Sequence, residues 1–291
     1  MRGNPHAHEL IAPQDLGDVL SILADEPSQW TPIAGGTELM VAHAAGRLAS
    51  KRLISLWNLS DLRFIRTEAD SITIGAATTF AEIRRNATIA TQLPLFAQAA
   101  SWIGSIANQS RATLGGNLVN GSPAADSSPA LLAYDAVVEL ICIRGTRRIP
   151  YAAFHTGYKR NALAPDELLY AIHIPLHFAD HKQYIRKVGT RRAMAISKVA
   201  LAATAQLHTN AIKEIRLAAA SLAPFPTRLY RTEAALLNQS LTPQTIASAR
   251  AALLTEAAPI DDIRSTANYR TRVAANLLEE FLTSLIQIRS A

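Results

Sequence analysis

Two short loops carry glycine pairs, Ile33-Ala34-Gly35-Gly36-Thr37-Glu38 and Thr113-Leu114-Gly115-Gly116-Asn117. Glycine lacks a Cβ atom and adopts positive φ without strain, so such loops let backbone N–H groups approach a ligand closely. Successive N–H groups in a bend of this kind form a concave site for an anion, commonly a phosphate. Two such loops in one chain predict a diphosphate that is clamped between two segments.

The first glycine pair lies between a strand and a helix. Residues 30–34 are apolar and predict a short strand, whereas residues 38–45 have the spacing of a helix. The positive end of that helix adds to the attraction for phosphate. The second pair lies within residues 104–128, which are rich in Gly, Ser, Asn and Pro. We predict that this segment is a long functional loop.

The length and the order of the elements predict two domains. The chain has 291 residues, of which 49% are hydrophobic, and this is enough for a large core. A polar segment that is broken by proline, residues 175–182, separates a domain at 1–176 from a domain at 181–288. In the second domain we predict an antiparallel meander of strands at 184–188, 197–207 and 212–221. Helices are predicted at 232–237, 243–254 and 266–288.

Composition narrows the classes of function. The net charge of +6 comes from scattered arginines and not from a continuous basic run, which favours a solvated surface or an acidic partner over nucleic acid. Cys142 is the single cysteine, so a disulfide framework and a cysteine-ligated cluster are both excluded. The first residues lack a signal-peptide core and no run is apolar enough to span a membrane. We therefore expect a soluble, cytoplasmic protein.

The familiar motifs of nucleotide folds and of catalysis are absent. The chain has neither the dinucleotide fingerprint G-x-G-x-x-G nor the P-loop G-x-x-x-x-G-K-[ST], so the glycine pairs belong to neither of these folds. The eight histidines are scattered, and the close pair His6 and His8 is explained better by a solvated terminus than by a metal. We predict no metal ligand and no catalytic residue in this chain.

Taken in order, four groups of residues resemble one family. They are Ile33-Ala34-Gly35-Gly36-Thr37-Glu38-Leu39-Met40, Ala112-Thr113-Leu114-Gly115-Gly116-Asn117 with Ser122-Pro123-Ala124-Ala125-Asp126, Gly189-Thr190-Arg191-Arg192-Ala193-Met194 with Lys198, and Ala267-Asn268-Tyr269-Arg270. Over nearly the whole chain, this ordered set resembles the flavin-binding subunit of molybdenum hydroxylases, a family that includes xanthine dehydrogenases and carbon monoxide dehydrogenase. The chain departs from the family at Gln109-Ser110-Arg111, where many members have an asparagine, and at Ala195, where many have an aspartate.

The resemblance implies an α+β fold. A vanillyl-alcohol-oxidase-type (PCMH) FAD-binding domain of two α/β subdomains comes first. It is followed by a small C-terminal domain of the CO-dehydrogenase flavoprotein type, in which a three-stranded antiparallel sheet carries a helical bundle.

The resemblance also implies how FAD is bound. The amides of residues 34–38 and 113–117 receive the pyrophosphate, Asp126 accepts from a ribose or adenine group, and Lys198 lies near the flavin, where a cation stabilises negative charge on the reduced ring. The implied cofactor-binding residues are Ile33, Ala34, Gly35, Gly36, Thr37, Glu38, Thr113, Leu114, Gly115, Gly116, Asn117, Asn120, Asp126, Leu169 and Lys198. From the residues alone, each glycine pair is equally a plain turn, Asp126 a helix cap and Lys198 a surface lysine.

The remaining redox centres must lie on other chains, because one cysteine cannot ligate an iron–sulfur cluster. The resemblance implies an iron–sulfur subunit with two-iron two-sulfur clusters and a large subunit with molybdopterin. It implies that the chain takes electrons from those clusters and passes them to NAD or another acceptor. One alternative is a self-sufficient FAD oxidoreductase with His155, Tyr158 or Lys159 over the flavin. Another is a binding protein without catalytic activity, in which the glycine loops are only turns.

Overall fold

The computed structural model describes residues 3–191 and 194–287 and shows an α+β protein. The strands of the described ranges are β1 Glu9–Ile11, β2 Thr31–Ile33, β3 Arg52–Ser55, β4 Ile65–Thr67, β5 Ser71–Gly75, β6 Val137–Cys142, β7 Gly145–Pro150, β8 His155–Gly157, β9 Arg160–Asn161, β10 Leu168–Pro175, β11 Lys182–Val188, β12 Val199–His208, β13 Ala211–Ala220 and β14 Thr227–Arg228. The helices are α1 Leu16–Asp25, α2 Leu39–Ala44, α3 Phe80–Arg85, α4 Ala87–Gln92, α5 Pro94–Ser101, α6 Ile106–Gln109, α7 Leu114–Val119, α8 Ser128–Ala133, α9 Tyr230–Leu236, α10 Pro243–Glu256 and α11 Ala267–Gln287.

The first lobe is a small parallel sheet with strand order β1-β3-β2. Helix α1 begins at Asp15, whose side chain accepts a hydrogen bond from the Asp18 amide, and it buries Val19 and Leu23 against this sheet. Helix α2 follows β2 directly and buries none of its residues. The predicted strand, glycine turn and helix unit is therefore present, with its helix on the surface.

The second lobe is an antiparallel sheet with strand order β4-β5-β10-β6-β7. Helices α3, α5, α7 and α8 bury their apolar faces in the main core over this sheet. Thr79 and Glu82 form the reciprocal capping box that their spacing predicts at the start of α3. Strand β7 is exposed along nearly its whole length, which explains why no apolar alternation marks it in the sequence.

The C-terminal lobe is an antiparallel sheet with strand order β11-β12-β13-β14. Its three long strands are those that the alternation predicts, and the two-residue β14 adds a fourth at the edge. Alternate residues of β12 face opposite sides, as period two requires. Val199 and Leu201 pack in the core that includes α10 and α11, whereas Ala202 packs in the main core of the first two lobes.

The segment 104–128 differs from its prediction. It contains α6 and α7 instead of one long loop, because Ser105 and Thr113 cap these two helices with their side chains. The predicted ends at residue 288 and the motif residues Arg192 and Ala193 lie outside the described residues. In the described ranges, no helix has both the length and the apolar character needed to cross a membrane.

Candidate cofactor-binding site

The two glycine loops, loop 1 (residues 34–38) and loop 2 (residues 113–117), meet in the structure. A Cβ atom on Gly35 would lie 1.7 Å from the carbonyl oxygen of Arg111, two residues before loop 2. The Arg111 Nε donates a hydrogen bond to the Gly35 carbonyl oxygen at 3.4 Å. The absence of a side chain at Gly35 therefore allows loop 1 to approach the residues directly before loop 2, and convergence of the two loops on one diphosphate stays a prediction.

Loop 1 presents unpaired backbone donors. Gly36 has a φ of +74°, and its carbonyl accepts from the Met40 amide at 2.9 Å at the start of α2. The amides of residues 35–38 find no hydrogen-bond acceptor within residues 3–191 and 194–287. Consecutive N–H groups in such a bend are suited to an anion.

Loop 2 differs from its expected role. The Leu114 amide donates to the Thr78 carbonyl at 2.9 Å, and the Gly115 amide donates to the Ala76 carbonyl at 2.8 Å. The Gly116 amide donates to the Thr113 hydroxyl and the Asn117 amide donates to the Thr113 carbonyl, because Thr113 caps α7. The fold therefore already provides acceptors for these four amides, and their role as donors to a pyrophosphate stays a prediction.

The glycines of loop 2 nevertheless shape the site. A Cβ atom on Gly115 would lie 2.6 Å from the Cβ of Ala76, so this glycine allows α7 to pack against the end of β5. Gly116 is exposed, and a Cβ atom there would meet only the Thr113 hydroxyl, at 3.0 Å. At Gly115 and Gly116, loop 2 thus presents a surface without side chains beside the unpaired backbone amides of loop 1.

Asp126 is engaged elsewhere in the fold. Its Oδ2 lies 2.5 Å from the Lys187 Nζ, and its Oδ1 accepts from the Ser197 hydroxyl. Burial raises the pKa of the Asp126 carboxyl, and the Lys187 ammonium opposes this shift. Both oxygens are therefore committed to residues of the C-terminal lobe. These contacts join the two domains, and the role of Asp126 as an acceptor for ribose or adenine stays a prediction.

Lys198 follows Ser197 and contacts residues of the C-terminal lobe. Its Nζ lies 5.2 Å from the centroid of the Tyr269 ring. One residue after Asp126, the Ser127 hydroxyl donates to the Asn117 side chain in loop 2 at 2.6 Å. A short series of contacts therefore connects loop 2 with the strand that begins after Lys198.

The other expected residues occupy different settings. Leu169 is buried in the main core, opposite Leu140 on β6. Asn120 ends α7 and is half-buried. Glu38 is exposed, with its carboxylate 3.6 Å from the Lys159 Nζ. Of these, Glu38 is the last residue of loop 1 and Asn120 lies shortly after loop 2, whereas the Leu169 side chain belongs to the core.

Cationic side chains flank loop 1, and the motifs do not predict them. Arg111 and Arg63 stack on the ring of Trp57, with their guanidinium carbons 3.7 Å and 4.4 Å from its centroid. The Arg63 Nη2 is buried and finds no partner among the described residues. The only sequence signal is the position of Arg111 directly before the second motif. Together with Lys159, these residues place positive charge near loop 1.

The side chains that would serve a self-sufficient enzyme do not form such a site. His155 is buried among aromatic rings, 3.1 Å from the Tyr151 hydroxyl. Burial lowers the pKa of His155 to about 4. Tyr158 is exposed, and Lys159 is paired with Glu38. These side chains do not converge as an acid, a base or an electrophile.

Known proteins resemble this chain over most of its length. Residues 6–177 match the family model of the FAD binding domain in molybdopterin dehydrogenase, and residues 184–285 match that of the CO dehydrogenase flavoprotein C-terminal domain. The xanthine dehydrogenase FAD-binding subunit of Escherichia coli O157:H7 is 32% identical over 93% of each chain. The carbon monoxide dehydrogenase medium chain of Hydrogenophaga pseudoflava is 26% identical over 96% of this chain and 97% of its own.

The three-dimensional fold also resembles that of a known protein of this kind. A solved structure of carbon monoxide dehydrogenase from Hydrogenophaga pseudoflava, which lacks the Mo-pyranopterin moiety of the molybdenum cofactor, superposes with a TM-score of 0.90. It is 26% identical and covers 96% of each chain. This chain therefore belongs to the family of FAD-binding subunits of molybdenum hydroxylases of the xanthine and carbon monoxide dehydrogenase type, and is an oxidoreductase subunit.

Proposed function

We propose that this chain carries FAD between loop 1 and loop 2 and transfers electrons within a molybdenum-containing hydroxylase or dehydrogenase. Electrons arrive from two-iron two-sulfur clusters of an iron–sulfur subunit, and a large subunit holds molybdopterin. NAD or another acceptor takes the electrons. The observation that carries this proposal is the contact of Gly35 with Arg111, which sets four unpaired amides beside a second glycine loop.

The described residues fit the diphosphate of FAD. The amides of residues 35–38 donate to it, the Thr37 hydroxyl adds a donor, and Arg111 supplies a nearby cation. Gly116 leaves the opposite wall free of side chains. In this proposal the implied cofactor-binding residues other than Asp126 keep a role at FAD. The backbone of the two walls is formed by Ile33, Ala34, Thr113 and Leu114. Farther along the cofactor from the diphosphate lie Asn117, Asn120, Leu169 and Lys198.

FAD, when bound, accepts electrons one at a time and releases them as a pair. This chain's own contribution is to hold the cofactor and to tune it. In this proposal Lys198 lies at the flavin end of the site, where a fixed positive charge favours the reduced ring. We also propose that the chain divides into domains at 1–176 and 181–288, which the two family matches support. A cytoplasmic location suits a chain with one buried, free cysteine.

The test starts with the purified chain. We expect the absorption bands of an oxidised flavin, with about one FAD released per chain on denaturation. Mixed with the iron–sulfur and molybdopterin subunits from the same source, the chain is expected to restore reduction of NAD or of an artificial acceptor by the substrate. A colourless chain that takes up no added FAD would refute the cofactor assignment. A flavin-loaded chain that turns over a substrate without partners would instead favour the self-sufficient enzyme.

A further inference from the structure

Three side chains with metal-ligating atoms meet at the segment between β10 and β11, the interdomain linker (residues 176–181). They are His177, His181 and Glu214, and their ligand atoms lie within 4.8 Å of one another. The Nε2 atoms of His177 and His181 lie 2.9 Å and 3.3 Å from the same oxygen, Oε2 of Glu214. Two imidazoles that converge on one carboxylate oxygen form a donor set typical of zinc.

The linker folds in a way that presents both histidines. The His181 amide donates to the Phe178 carbonyl, and the Ala179 amide donates to the Leu176 carbonyl, so the segment makes a tight turn. The buried ring of Phe178 packs against both histidines, with ring centroids 4.9 Å from His177 and 5.2 Å from His181, and the two imidazole centroids lie 5.3 Å apart. The packing of Phe178 therefore fixes the direction of both imidazoles.

The distances are close to those of a tetrahedral site. Zinc binds nitrogen and oxygen ligands at about 2.0–2.1 Å, which places two ligand atoms about 3.3 Å apart. The two nitrogen–oxygen separations, 2.9 Å and 3.3 Å, need only small side-chain shifts to match this value, and the two imidazole nitrogens lie within 4.8 Å of each other. The His181 side chain is 2% exposed and that of His177 is 61% exposed, so an ion enters from the side of His177 and keeps a water ligand there.

The Glu214 carboxylate directs one oxygen, Oε2, at both histidines. Arg216 pairs with the other oxygen, Oε1, at 3.0 Å and so fixes the orientation of the group. Against this, His181 Nδ1 is buried without a partner among the described residues. A missing outer hydrogen bond of this kind weakens metal binding by about 10–100-fold.

We propose that His177, His181 and Glu214 bind zinc. The ion tethers the interdomain linker to β13 of the C-terminal sheet. Arg216, which holds Glu214, also pairs with Asp135 at the end of α8, with its Nε 2.7 Å from Oδ2. The metal therefore strengthens the contact between the domains at a place that contributes nothing to loop 1 or loop 2. This inference does not depend on the proposed function.

The experiment is calorimetric titration of the purified chain with zinc chloride, after removal of any affinity tag and treatment with a chelator. We expect one zinc ion per chain. The primary variant is His177→Ala, because the exposed imidazole is not needed for folding, and it is expected to weaken zinc binding at least about tenfold. Glu214→Gln is expected to weaken it as well. The control is His208→Ala, an exposed histidine on β12 that is expected to leave the titration unchanged.

Two results would overturn the proposal. One is an absence of zinc binding by the wild-type chain at submillimolar metal. The other is an equal affinity in wild type and His177→Ala, which would place the ion elsewhere, for example at the histidines near the N-terminus. Circular dichroism of each variant distinguishes loss of a ligand from loss of the fold.

Discussion

Replacement of Gly35 by alanine tests how loop 1 and loop 2 form a cofactor site. The new methyl group would lie 1.7 Å from the Arg111 carbonyl oxygen, whereas contacts of a real Cβ atom are essentially never below 3.0 Å. The backbone of one loop must therefore move by at least 1.3 Å, the difference between these two distances. No flexible side chain can absorb this shift, because the obstacle is a main-chain atom.

The expected effect is large for one methyl group. Binding sites depend on groups that are held to within about 0.5 Å, so a shift of this size separates loop 1 donors from the opposite wall. We expect the dissociation constant for FAD to rise at least about tenfold, which equals about 1.4 kcal/mol. Overpacking of this kind also lowers the free energy of unfolding by about 1–3 kcal/mol.

The assay is titration of the apo-chain with FAD, followed by flavin fluorescence, together with urea unfolding. Gly46→Ala is the matched control, because Gly46 has a φ of +67° and a Cβ atom added there would meet no other atom within 4 Å. The Gly46→Ala substitution strains the backbone, because alanine rarely adopts this left-handed conformation, but it introduces no steric clash. Gly36→Ala is strained at a φ of +74° and meets only side chains, so its effect is expected to be intermediate. Wild-type affinity in Gly35→Ala would refute the idea that the contact of the two loops creates the site.

Three further predictions concern the rest of the chain. Lys198→Ala is expected to retain FAD and to make its midpoint potential more negative, as measured by a spectroscopic redox titration; an unchanged potential would make Lys198 a surface lysine. Asp126→Asn is expected to lower the free energy of unfolding by about 3–5 kcal/mol, because it leaves the Lys187 ammonium buried without its partner. The FAD dissociation constant is expected to stay near wild type, and a large rise would restore Asp126 to the cofactor site. Burial lowers the pKa of His155 from 6.5 to about 4, so the unfolded chain takes up the proton first as pH falls. Between pH 6.5 and 4 this residue should therefore lower the free energy of unfolding by roughly 3 kcal/mol in total, and urea unfolding of His155→Gln should show a flatter pH dependence than His208→Gln.

Local sequence signals predict the elements that depend on local structure. Helix α1, the capping box of α3 and the three long strands of the C-terminal sheet follow from periodicity and caps. Strand β7 could not be predicted in this way, because an exposed edge strand needs no apolar alternation. The helices α6 and α7 were hidden by their glycine and asparagine content, which is also typical of loops.

Less of the candidate site than of the fold can be predicted from the sequence. The motifs indicate that two glycine loops converge, but not which amides the fold has already used. The Leu114 and Gly115 amides donate to carbonyls more than 30 residues away in sequence, at Thr78 and Ala76. The partner of Asp126 lies 61 residues further along the chain. Nothing in the local sequence reports pairings of this kind, since they depend on which distant segments the tertiary fold brings together.

The four glycines of the two loops therefore do four different things. Gly35 allows one loop to touch the other, Gly36 turns the chain through positive φ, Gly115 allows a helix to pack on a strand, and Gly116 keeps one wall of the site open. Only the first two shape the loop that still has free donors. In the proposed site, loop 1 supplies the hydrogen-bond donors and loop 2 forms the opposite wall, so we expect substitutions in loop 1 to act mainly on FAD affinity. A substitution at Gly115 should act first on the free energy of unfolding, because its clash lies inside the core and not at the cofactor.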